Sequence, residues 1–111
     1  MSLQTTIAAA LAPIAPTYPL TAPQGVTPPY ITYFRVAGQD FETLASGGGA
    51  PRRRVQIDVW ASTYLDACTL AAAAKDALRA ALTISAVLDN PDHYEPDTRL
   101  FHVSFDIAAW E

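Results

Sequence analysis

At 111 residues and 11.9 kDa the chain has room for one domain and one core. Half of its residues are hydrophobic and only 16% are charged, which excludes a disordered polymer and leaves much apolar surface for a subunit interface. A net charge of −4 with a pI near 4.9 excludes a protein that grips nucleic-acid phosphates over a broad face, because that needs a basic surface.

Leu3, Ile7, Leu11 and Ile14 recur at spacings of four, four and three, a helical stripe that Pro13 and Pro16 cut short. A short helix over residues 3–12 is expected. Residues 13–29 hold six of the nine prolines and read as extended chain and turn, anchored by Tyr18, Leu20 and Val26. Residues 30–36 (Tyr-Ile-Thr-Tyr-Phe-Arg-Val) are dense in aromatic and β-branched side chains and predict a strand that Pro28 and Pro29 lead into. The pattern is lost over residues 38–51, which end in Ser46-Gly47-Gly48-Gly49-Ala50-Pro51 and predict a flexible hairpin tip with Phe41 and Leu44 as its large apolar residues.

Residues 52–61 alternate, with Val55, Ile57 and Val59 on one side and Arg54, Gln56, Asp58 and Trp60 on the other, so they predict a strand with one core face. Thr63 followed by Asp66 reads as a capping box opening a helix over 63–82, whose stripe is Leu70, Ala74, Leu78, Ala81 and Leu82. Residues 84–88 predict a short strand and residues 89–92 a turn. From residue 100 to 110 alternation returns, with Phe101, Val103, Phe105, Ile107 and Ala109 facing one way. The expected fold is α+β over residues 1–111. A mainly antiparallel sheet of about four strands carries two helices on one face and a long hairpin loop.

Candidate chemistry is thin. Cys68, His93 and His102 fit no zinc spacing, and one cysteine cannot form an intrachain disulfide. A Cys–His nucleophilic pair lacks a visible orienting group and oxyanion donors. Asp58 and Asp106 fall on the non-core sides of two strands, where paired carboxylates can do acid–base work but where solvated strand faces also carry such residues. Gly47-Gly48-Gly49 lacks the Lys-Ser/Thr of a phosphate loop. No catalytic, cofactor or metal site is expected. No apolar run approaches the ~18–20 residues of a membrane span, and the N-terminus lacks a basic secretion signal, so a soluble, cytosolic product is expected.

Charge is uneven. Arg52, Arg53 and Arg54 are three of seven basic residues, while residues 83–111 hold six acids against Arg99. The arginine run suits either an acidic partner or phosphates, or simply a solvated strand start. Trp60 and Trp110 share the non-core side of their strands, and an outward tryptophan packs under a helix end or against a partner chain. The interface candidates are therefore Arg52, Arg53, Arg54, Trp60, Trp110, Phe41 and Leu44.

Three segments carry a resemblance: residues 18–33 (Tyr-Pro-Leu-Thr-Ala-Pro-Gln-Gly-Val … Pro-Tyr-Ile-Thr-Tyr), residues 54–61 (Arg-Val-Gln-Ile-Asp-Val-Trp-Ala), and Leu100 with residues 105–110 (Phe-Asp-Ile-Ala-Ala-Trp). In this order, with the Ala/Leu helix between the last two, the chain resembles the phage and prophage tail-completion or tail-terminator family along nearly its whole length. The resemblance implies an α+β subunit without enzymatic activity or cofactor. It implies a self-assembled ring, usually of six, that caps the tail tube, meets the tube protein and the head's connector, and lets DNA pass through its channel. It implies a place in the virion tail, with assembly in the host cytoplasm. The alternatives are a head-completion or neck protein and, from another class, a small ligand-binding or enzymatic α+β domain.

Overall fold

A computed structural model describes residues 2–36 and 52–110, Arg52 through its backbone alone. The expected hairpin tip over 38–51, with Phe41 and Leu44, lies outside the described residues. The chain runs α1 (Leu3–Leu11), β1 (Thr17–Pro19), β2 (Tyr30–Arg35), β3 (Arg52–Ala61), α2 (Tyr64–Ala81), β4 (Ile84–Asp89), β5 (His93–Glu95) and β6 (Leu100–Trp110). The described strands form one six-stranded sheet in the order β1-β2-β3-β6-β4, with β5 beside the start of β6. All pairings are antiparallel except β1 with β2, which is parallel. The expected α+β class holds; the sheet gains two three-residue strands, β1 and β5, over the four expected.

Both helices start on side-chain caps. Ser2 Oγ accepts the Thr5 amide at 3.1 Å and Thr63 Oγ1 accepts the Asp66 amide at 3.2 Å, satisfying donors that a helix cannot satisfy itself. Asp66 in the first turn of α2 and Arg79 in its last complement the helix dipole. The stripe of α2 that goes under is Ala67, Ala71, Ala74 and Leu78, with Leu70 and Leu82 half-buried and Ala81 exposed. Its small residues let the helix lie close to the sheet.

Leu3, Ile7 and Leu11 of α1 join α2 on the same side of the sheet. There they close over Ile31, Tyr33, Val55, Ile57, Val59, Phe105 and Ile107. Period two in β3 and β6 therefore puts Val55, Ile57, Val59, Phe105, Ile107 and Ala109 in the core, with Val103 packed against it and Phe101 half-buried beyond it, each fully buried Leu, Ile or Phe contributing about 1.5–3 kcal/mol. The turn at residues 23–26 closes with a Val26 amide bond to the Pro23 carbonyl at 3.3 Å and puts Gly25 at φ +86°. That value belongs to the third residue of a type II turn. Leu20 (φ 68°) and Arg99 (φ 58°) hold left-handed conformations without glycine's freedom.

The sheet's two edges differ. At the two ends of β1 the Ile31 amide bonds the Pro16 carbonyl and the Leu20 amide bonds the Tyr33 carbonyl, which by parallel alternation leaves the backbone groups of Thr17 and Pro19 outward. Pro19 has no N–H, and its carbonyl already accepts the Thr21 amide at 2.8 Å. In β4 the Asn90 amide bonds Ser104 just beyond the strand. Antiparallel alternation then turns Ala86 and Leu88 toward β6 and leaves the backbone groups of Val87 and Asp89 outward.

Candidate functional site

The side of the sheet without helices carries the densest polar and aromatic arrangement among the described residues, and the strand register builds it row by row. Tyr30 lies opposite Trp60, Trp60 opposite His102, and His102 opposite His93. Trp60 and His102 stack with ring centroids 4.1 Å apart and planes within 5°; Tyr30 and His93 extend the row at 6.1 and 6.2 Å. Trp60 Nε1 donates to Thr32 Oγ1 at 3.1 Å. An indole that parity places away from the core is thus half-buried within its own sheet, its one donor satisfied.

The next row is Thr32, Asp58 and Ser104, and the one after it Phe34, Gln56 and Asp106. Thr32, Asp58, Ser104 and Asp106 are all buried, against the expectation of a solvated face. Thr32, Asp58 and Ser104 lie between the row of Tyr30, Trp60 and His102 and the row of Phe34 and Gln56, whose larger side chains shut water out. Their hydrogen bonds connect. Asp58 Oδ1 accepts from Gln56 Nε2 at 2.9 Å and from His102 Nε2 at 2.8 Å. Ser104 also bonds the Asp58 carboxylate. Asn90 Nδ2 donates to Ser104 Oγ at 3.1 Å and to Asp106 Oδ1 at 3.0 Å, and Arg54 closes on Asp106 Oδ2 at 3.0 Å. Burial alone would raise the Asp58 pKa. The bonds from His102, Gln56 and Ser104 outweigh it and hold the carboxyl below its ordinary value.

This geometry ties strands together; it does not present a nucleophile. In a hydrolytic triad the hydroxyl bonds the imidazole and the carboxylate bonds the imidazole's far side. Here Ser104 bonds the carboxylate, and His102 points its Nε2 at that same carboxylate. One cleft opens beside this face and a second beside α2. One, of 560 Å³, lies between residues 20–28 and Tyr30, Trp60 and Leu100; the other, of 490 Å³, lies between α2 and Asn90, Pro91 and Asp92. Neither is lined by Asp58, His102 or Asp106. Cys68 is half-buried on α2, away from both histidines' row, and the described residues contain no group of three metal-ligating side chains. Among the described residues no helix is long and apolar enough to cross a membrane.

Of the residues singled out from sequence, Arg54 belongs to the network through Asp106 and Trp60 through Thr32 and His102. Arg52 opens β3 opposite Trp110, which is 38% exposed. Arg53 lines a 290 Å³ cavity with Arg35. Thr32, Ser104, Asn90 and Gln56 escaped sequence reasoning. Their signal, small polar residues at non-core parity, becomes specific only once the register is known.

Residues 3–111 match the family model described as tail completion protein gp17. No curated protein matches the chain. Among solved structures, a chain in "Virion of native gene transfer agent (GTA) particle" shares the fold with a TM-score of 0.66 at 14% identity, covering 98% of this chain and 93% of that one. Fold and family match together define the class as that of a small α+β tail protein. Within that class, the chain belongs to the tail completion protein gp17 family.

Proposed function

We propose that the protein closes into a ring, of six subunits as its resemblance implies, on the end of the finished tail tube. The ring stops tube growth and offers the head's connector a surface to join. It acts by binding, without turnover. The observation that carries this reading is the family match over residues 3–111.

The internal economy of the sheet supports it. The polar face spends its hydrogen bonds on its own strands, which makes a stiff wall of the kind a ring needs. The chain's net charge of −4 suits a channel that must not hold passing DNA. Deleting the gene from its phage or prophage tests the reading. Over-long tubes without heads are expected, with normal tails restored by the intact chain. Tails of normal length joined to heads without the protein would overturn it, and tubes of normal length lacking only heads would reassign it to the neck.

A further inference from the structure

Strand direction sorts the molecule's charges. Arg35 closes β2 and Arg52, Arg53 and Arg54 open β3, so all four gather at one end of the sheet, Arg54 there already paired with Asp106. β3 covers ten residues, roughly 30 Å at 3.3 Å per residue. At its far end α2 begins and the β5–β6 hairpin turns, which places Asp66, Asp92, Glu95 and Asp97 at that end with Arg99.

The acidic end also holds apolar surface. Tyr94 and Tyr64 pack on Phe101 with ring centroids 4.8 and 5.9 Å apart, yet Tyr64 is 49% exposed, Tyr94 50% and the adjacent Leu65 75%. Tyr64 donates its hydroxyl to Asp92, which holds the phenol pKa well above its ordinary value and fixes the ring beside the carboxylates. An apolar centre with a charged rim is the anatomy of a protein interface. The arginine end offers the complement: Arg35 and Arg53 line a 290 Å³ cavity beside Leu3 and Gln4, and Trp110 stands at that end of β6.

We infer that the Tyr64–Leu65–Tyr94 patch with its acidic rim docks on the arginine end of a second copy of this chain. The inference rests on the ring reading and specifies its seam. Two unlike patches, one at each end of the molecule, make a head-to-tail contact, which generates a ring when its rotation closes. Opposite charges at the two patches fix the direction of the contact and penalise head-to-head docking.

The test is a charge swap at exposed positions, read as capping of purified tail tubes by electron microscopy. Asp97→Arg reverses one charge of the acidic end, Arg35→Glu reverses one charge of the basic end, and circular dichroism confirms that each variant folds. Each variant alone should cap tubes at least tenfold less than wild type. An equimolar mixture should recover capping, because every seam in an alternating ring again sets a positive against a negative residue at these two positions. Leu65→Ser, which changes no charge, should also weaken capping. Variants that cap alone as well as wild type, or a mixture of folded variants that does not recover, would overturn the seam while leaving the ring reading standing. Failure of the wild-type chain to cap tubes would overturn the ring reading itself.

Discussion

Replacing Asp58 by alanine removes the acceptor on which His102, Gln56 and Ser104 converge. Leaving a buried donor without its charged acceptor costs about 1.5–3 kcal/mol, and three donors lose theirs here. His102 keeps 17% of its side chain exposed and can recover some water, so the total stays near the upper figure, about 3 kcal/mol. With a urea slope of roughly 2 kcal/mol/M, the unfolding midpoint should fall by about 1.5 M. Tryptophan fluorescence reads it directly, since Trp60 stacks on His102. Asp58→Asn keeps the shape but loses the charge, and should cost about half as much.

The pH dependence carries a definite sign. The folded pKa of Asp58 lies below its ordinary 3.8, so its contribution is complete above that value and is lost as pH falls through the folded pKa. Wild type should therefore converge toward Asp58→Asn below about pH 4. An alanine variant within 0.5 kcal/mol of wild type at pH 7, with parallel acid limbs for the two proteins, would refute the reading of this network as a staple.

Leu78 is fully buried between α2 and the sheet, and Leu78→Ala should cost about 3 kcal/mol in the same unfolding assay. Thr63→Ala removes the cap of α2 and should cost about 1 kcal/mol, most of it recovered by Thr63→Ser. Leu20 is 69% exposed at φ 68°, so Leu20→Gly should raise stability by about 0.5 kcal/mol, relief of the left-handed strain slightly exceeding glycine's entropy. A loss of stability in that variant would show that Leu20 packs on something its exposure does not reveal.

Elements with a long period were legible in the sequence. The 18 residues of α2 and the alternating β3 and β6 declare themselves because each repeats its pattern several times. β1 and β5 span three residues each, too few to show a period, and they owe their pairing to β2 and β6. The core was legible for the same reason as the strands. The buried polar rows were not, because Asp58 and Asp106 look like solvated residues until Gln56, Ser104 and Asn90 are brought across from other strands. His102 likewise reads as an exposed strand histidine until its register opposite Trp60 is known. The left-handed Leu20 and Arg99 carry no turn signal of their own, being imposed by the chain around them.

The unlike edges of the sheet bear on how the molecule behaves when crowded. An open β-fibril needs each added strand to leave behind an edge as receptive as the one it covered. At β1 the outward Pro19 has no amide to give and a carbonyl already bonded to Thr21, which leaves Thr17 as the one described residue of that strand with an outward amide, too little for a strand to grow on. Val87 and Asp89 can still bond a neighbour, but two copies meeting there would each turn a dead edge to solvent. Through its edges the sheet can pair and go no further, a safeguard against runaway aggregation written into one proline and one turn.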